Sequence, residues 1–120
     1  MLRPVLLVLA LAAAVLVLPL AASPAAPRTL TATVGPGATI TLELGSRRAA
    51  SVPAGVYTVV VRDRSSDHNF RLAGPGVNRS TGVAFTGRKV WRNVRLARGK
   101  TYTYLCDPHA DHMRGSVRAR

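Results

Sequence analysis

Acidic residues are scarce in this chain: 5 Asp and Glu stand against 17 Lys and Arg in 120 residues, a formal net charge of +12. Its motifs supply no nucleophile-base pair, no paired carboxylates and no open substrate position, so an enzyme is not expected. Cysteine occurs once, at Cys106. A single cysteine cannot close an internal disulfide, so Cys106 is either a free thiol or a ligand. Beyond Met1 the chain holds one methionine, Met113. No window carries an apolar pattern of helical period with caps, which argues against a helical domain.

The long apolar run is confined to the start. Arg3 gives a short positive region, Val5 to Leu20 is apolar apart from Pro19, and Ala21 to Ala26 offers small residues for a peptidase. This is the pattern of an export signal, expected as a helix over residues 1–26 with cleavage between Ala22 and Ala26. A retained anchor is the alternative, but the run is short for a spanning helix, which takes about 20 apolar residues. Residues 27–120 form the expected single domain, with room for one modest core. Without Arg3 it carries 16 Lys or Arg against 5 Asp or Glu, a formal +11.

Along the domain, short strands recur between Gly and Pro turns. Arg28 to Val34 alternates apolar with polar and ends at Gly35-Pro36-Gly37, and Ala38 to Leu44 repeats the pattern. A polar link over Gly45 to Ser51 and a Pro53-Ala54-Gly55 turn follow. Val56 to Arg62 is the most β-disposed run and is expected as a central strand. His68 to Leu72 starts a short strand with His68, Phe70 and Leu72 on one parity, and Gly74-Pro75-Gly76 is a turn. Asn78-Arg79-Ser80 fits the N-glycosylation sequon, a pattern common by chance. Gly82 to Arg88 reads as a weakly patterned connection. Lys89 to Leu96 has strand composition but an uneven register: either a β-bulge re-aims it or Trp91 packs on the opposite face. Thr101 to Cys106 alternates aromatic with threonine, and Gly115 to Arg120 is the last strand. Six to eight strands of this kind predict an all-β sandwich whose loops gather at its ends.

One such loop concentrates donors. Cys106, His109 and Met113 lie within eight residues, with His112 between the last two. One thiolate, two imidazoles and a weak thioether make the donor set of a blue-copper centre, so the loop needs a further imidazole, and His68 lies far enough away to supply it independently. A structural zinc site rarely uses a thioether. Singly, each residue has a plainer reading: a loop histidine, a packing methionine, a small buried cysteine.

His68-Asn69 after one strand, Tyr102-Thr103-Tyr104 running into Cys106, and Cys106-x-Pro108-His109 followed by Met113 and Gly115 together resemble the cupredoxins, in particular the small plastocyanin-like and amicyanin-like proteins. The resemblance spans nearly the whole mature domain. It implies a Greek-key antiparallel β-sandwich holding one type 1 copper ion, with His68, Cys106 and His109 as ligands and Met113 as the long axial contact. It also implies that Asn69 ties its loop to the ligand loop and offers its backbone N–H to the thiolate. Three residues separate His109 from Met113. Plastocyanin-like loops are longer there, amicyanin-like loops shorter, and azurin-type loops the same; His112 is the competing donor. Pro108 has no N–H to give, which leaves the thiolate with fewer hydrogen bonds and should hold its potential down.

The function implied is an exported one-electron carrier; the alternative is a copper carrier or scavenger that hands metal on without redox cycling. Extra exposed Met or His pairs, which would favour the carrier, are lacking. Cations strewn singly and in pairs do not make a nucleic-acid footprint. They suit a redox partner protein with an acidic docking surface, or an anionic membrane surface. The protein is expected to be monomeric, and periplasmic, extracellular or on the outer face of the cytoplasmic membrane.

Overall fold

The alternating runs form strands, and their apolar parity turns to a single core. The protein is seen in a computed structural model that describes residues 1–5, 7–21 and 26–120. One sheet contains β1 (Arg28–Val34), β2 (Ile40–Leu44), β3 (Arg47–Arg48), β5 (Gly55–Asp63) and β8 (Gly87–Leu96), in the order β3-β2-β1-β5-β8. The other contains β4 (Ser51–Val52), β6 (Arg71–Gly74), β7 (Val77–Ser80), β9 (Thr101–Leu105) and β10 (Arg114–Ala119), in the order β4-β10-β9-β6-β7. The chain crosses repeatedly between the sheets, giving the Greek-key sandwich the sequence predicts. Each sheet also holds one parallel ladder, β1 with β5 and β4 with β10, in an otherwise antiparallel arrangement.

Burial follows parity. Leu30, Ala32 and Val34 of β1, Tyr57, Val59 and Val61 of β5, and Tyr102 and Tyr104 of β9 are buried, while the residues between them are more open. Tyr102 brings its hydroxyl inside with a partner, accepting the Ala97 N–H at 2.8 Å. Phe70 stacks on Tyr104 with centroids 5.9 Å apart and lies 6.1 Å from Trp91, so these aromatics are core.

The uneven register of the eighth strand is a β-bulge. Trp91 pairs with Val59 and Val94 with Tyr57, so Arg92 and Asn93 together oppose Thr58. Asn93 adopts φ 58°, a conformation that asparagine tolerates better than most side chains. The extra residue lets Trp91, Val94 and Leu96 all face the core although their spacing is not that of one strand parity.

Several elements differ from expectation. His68 to Phe70 precede β6 rather than opening it. Val77–Ser80 is a strand, forming a hairpin with β6 across Gly74-Pro75-Gly76. The polar link contains β3 and β4, two residues each, too short to show a period. In the leader, residues 1–5 and 7–21 carry no regular secondary structure, so the expected signal helix is not formed there, and Leu7 and Leu16 are exposed. Its apolar side chains pack on no core among the described residues, and an isolated helix in water is marginal. No helix among the described residues is long and apolar enough to cross a membrane. Of the expected cleavage region, residues 22–25 lie outside the described residues.

Gly115 of β10 sits directly opposite Tyr104, whose ring lies over the glycine where a Cβ would stand. The cross-strand aromatic needs that vacancy. Gly115→Ala is therefore expected to destabilise the protein by about 1–3 kcal/mol, as overpacking in a closed core does, read as a lower urea midpoint at unchanged slope.

Candidate metal centre

Two neighbouring strands deliver the donors. β6 and β9 are antiparallel, with Arg71 opposite Leu105, Leu72 opposite Tyr104 and Ala73 opposite Thr103. Beyond the ladder the two chains run on side by side, so the segment entering β6 at His68 lies against the segment leaving β9 at Cys106. Both residues keep the core-facing parity of their strands, His68 with Phe70 and Leu72, Cys106 with Tyr102 and Tyr104. Both are buried. A single 3-10 turn, Asp107–His109, with Pro108 in its first turn, then lifts His109 over the pair.

His68 Nδ1 lies 2.9 Å from His109 Nδ1, and Cys106 Sγ is 3.6 Å from the first and 3.7 Å from the second. An ion bound at ordinary metal distances, about 2.0–2.1 Å to nitrogen and about 2.3 Å to sulfur, can bridge nitrogens up to about 4.2 Å apart and a nitrogen and sulfur up to about 4.4 Å apart. All three separations fall inside those limits, so one ion can touch all three donors. His68, Cys106 and His109 form the only such cluster of His, Cys, Asp or Glu among the described residues.

Met113 is buried in the same corner. Cys106 N–H donates to Met113 O at 3.0 Å, and Met113 N–H donates to His109 O at 2.8 Å. The three-residue spacing thus closes as a hydrogen-bonded turn that folds Met113 back beside Cys106. His112 points elsewhere: it is exposed, its Nδ1 is 2.9 Å from Asp111 Oδ1, and its ring centroid is 5.4 Å from that of His109.

Asn69 couples the two ligand-bearing segments through its side chain. Oδ1 accepts the Asp107 N–H at 2.8 Å, while Nδ2 donates to Asp107 Oδ2 at 2.7 Å and to Thr81 O at 3.0 Å. A hydrogen bond from the Asn69 backbone N–H to Cys106 Sγ is not among the contacts of the described residues; within range of the sulfur stand the two imidazoles. Two partners went unnoticed in the sequence. Arg71 grips Asp107 with two N–H groups, Nε to Oδ1 at 2.7 Å and Nη2 to Oδ2 at 3.0 Å, and donates through Nη1 to Asn78 Oδ1 at 2.7 Å. The Arg71 hydrogen bond, helped by that of Asn69, holds the Asp107 carboxyl below the usual carboxylate range. In sequence these are a lone strand arginine and a loop aspartate 36 positions apart, and only the β6/β9 register reveals that they meet.

No protein-family model and no curated protein sequence matches the chain. Among solved structures it is similar to auracyanin A, a "blue" copper protein from the green thermophilic photosynthetic bacterium Chloroflexus aurantiacus, at a TM-score of 0.48 and 17% identity over 79% of this chain and 100% of that one.

Asp63, at the end of β5, is a buried carboxylate near this corner. Its Oδ1 accepts the Ser65 N–H at 2.9 Å, while Oδ2 is buried without a partner among the described residues. Burial pushes this carboxyl up, against the opposing pull of the Ser65 hydrogen bond and of the His68 charge. A folded-state pKa above the unfolded value, about 3.9, contributes stability that is full below that value and lost as pH rises through the folded pKa. Asp63→Asn, which keeps the acceptor for Ser65, should match the parent in stability at pH 3 and exceed it at pH 7, as read by urea unfolding at the two pH values. For the clamp, Arg71→Ala should cost the metal-free protein about 1 kcal/mol, the scale of a well-oriented but half-exposed pair, in the same assay.

Proposed function

We propose that this protein is an exported mononuclear type 1 copper protein that carries single electrons, with His68, Cys106 and His109 as ligands and Met113 as the axial contact. The observation that supports this most is the triangle of two Nδ1 atoms and one Sγ, with edges of 2.9, 3.6 and 3.7 Å, in a corner lined by core. Copper bound there would supply the Cu(I)/Cu(II) couple, for which thiolate suits one state and imidazole the other. The chain's own residues hold the donors in place. The Asn69 and Asp107 bonds fix the His68 segment against the Cys106 segment, and the turn from His109 to Met113 fixes the loop, so little need move when the charge changes. Cys106 and His68 are buried, whereas His109 is half-exposed, which makes the His109 edge the route for electrons. In this reading the four donors serve as metal ligands, and the protein is not an enzyme. The leader supports export, and the formal +11 of the domain supports a redox partner with an acidic surface or an anionic membrane surface.

The copper-carrier reading draws on one feature, the exposed His112 ring beside His109, a place where an acceptor could take hold. Fast electron exchange with a redox probe, without loss of metal to a competing chelator, would set that reading aside. Adding Cu(II) to the metal-free protein should produce an intense visible absorption band that is absent in Cys106→Ser. A protein that stays colourless with bound copper would overturn the type 1 assignment.

A further inference from the structure

The strand ends sort the charges of the domain into two poles. The donors occupy the pole where β5 ends, β8 begins and β9 ends. At the other pole β1 and β5 begin, β8 ends, and a turn over Ala97 to Lys100 leads into β9. The end of β10 arrives beside that turn, with Gly99 N–H donating to Ala119 O at 2.8 Å and Ala119 N–H to Lys100 O at 3.0 Å. Arg28, Arg95, Arg98, Lys100, Arg118 and Arg120 stand at this second pole, and all six are exposed. None has an acidic partner among the described residues, whose ion pairs are Arg71 with Asp107 and His112 with Asp111. The carboxylates lie elsewhere. Asp63 ends β5 and Asp67 sits in the loop after it, Asp107 and Asp111 belong to the ligand loop, and Glu43, the last of the 5, lies midway along its sheet opposite Thr31.

Charges that serve solubility alone are of both signs and interspersed, as Arg62, Arg64 and Arg88 are with the carboxylates at the donor pole. The second pole is of one sign. A protein partner would be held by apolar or aromatic anchors at the centre of the contact. This pole offers none: among the described residues the exposed large apolar side chains belong to the leader, apart from Val83, which lies in the loop entering β8 at the donor pole. The headgroups of an anionic bilayer need only cations. The leader points the same way, because its apolar run precedes β1 and the chain therefore enters the domain at this pole, at Arg28.

We propose that the pole opposite the donors is a membrane-docking surface, on which these six cations contact the phosphate groups of an anionic lipid bilayer. Guanidinium forks suit phosphate oxygens, and five of the six cations are arginines. β5 spans nine residues between the poles, about 30 Å at about 3.3 Å each, so the donor pole stands several Debye lengths from the lipid surface. The His109 edge is then turned to the aqueous side, where a soluble redox partner can reach it. In this last respect the inference rests on the copper reading above; the membrane contact itself needs no copper.

The full chain, free of metal, is cosedimented at constant ionic strength with vesicles of phosphatidylcholine alone and of phosphatidylcholine with phosphatidylglycerol. The neutral vesicles read what the apolar leader contributes, and tighter binding to the anionic ones is expected. Arg98→Gln/Lys100→Gln should weaken the anionic binding at least about tenfold, since each cation beside an anionic surface contributes about fivefold. Arg62→Gln/Arg88→Gln, the same charge loss at the donor pole, should bind like the parent. In anionic bicelles carrying a nitroxide-labelled lipid, the signals of Arg98, Gly99 and Lys100 should broaden while those of Ala110 to His112 do not. Equal binding to the two kinds of vesicle, equal weakening by the two variants, or broadening at the ligand loop overturns the proposal. Saturable binding of a short polyglutamate peptide at Arg98 and Lys100, with no preference for anionic vesicles, overturns it in favour of an acidic protein. Should the turn variant not fold, Arg118→Gln/Arg120→Gln removes the same charge from another element, and unchanged binding in it overturns the proposal equally. A copper-loaded protein that stays colourless would remove the type 1 reading and leave these vesicle results as they stand.

Discussion

The antiparallel register of β6 on β9 is the constraint on which the candidate centre depends. With Arg71 opposite Leu105, the residues just outside the ladder come abreast at the same end of the sheet, and both chains keep their inward parity there. His68 and Cys106 therefore meet as a continuation of the core. A slip of one residue would turn one strand's inward set outward and carry its donor to the other face of the sheet. The packing that forbids such a slip is the stacked pair Phe70 and Tyr104, immediately behind the two donors. Gly115, by leaving room for that Tyr104 ring, belongs to the same device.

Polar clamps extend this register beyond the ladder. Past the strand ends there are no sheet hydrogen bonds to align the segments, and Asn69 replaces them with three of its own, two to Asp107 and one to Thr81. Arg71 then fastens Asp107 from the strand below. The turn from Cys106 to Met113 is closed by its own backbone, so Pro108, which can donate no N–H, costs the loop nothing there. The geometry of the donors is thus imposed by groups outside the donor set. A centre built in this way need not reorganise much when its charge changes, which is the physical requirement for exchanging single electrons.

What could be read from the chain follows from which signals are local. Alternation within five or more residues revealed β1, β2 and β9, because parity against one core leaves a mark on every second residue, and β-disposed composition revealed β5. The bulge announced itself as a disturbance of that mark around Trp91 and Arg92. β3 and β4 are too short to carry any mark, and β7 was hidden because an arginine stands where its core-facing pattern needs an apolar residue. The helix expected for the leader depended on surroundings that the chain does not itself provide. The donors could be picked out by type and spacing, and the structure brings three of them together. The Arg71 to Asp107 clamp could not be, since a pairing between strands depends on register, which neither residue encodes.

The basic surplus calls for a separate account. Arg62 stands directly opposite Arg88 on the outer face of β5 and β8, a like-charge cross-strand pair that costs stability. Carboxylates that could relieve it are few, and two of those on the loops, Asp107 and Asp111, are engaged with Arg71 and His112. Fold stability therefore does not explain the charge, which acts against the compact state by self-repulsion. Part of it guards the long open edge of β8, where charged side chains discourage another strand from pairing. Edge protection needs only one or two charges, however, whereas Arg88, Lys89, Arg92 and Arg95 all lie on this strand and are exposed. These charges project outward, and because Arg62 and Arg88 stand at the end of β5 that leads on to His68, their field reaches the end of the sandwich where the donors lie.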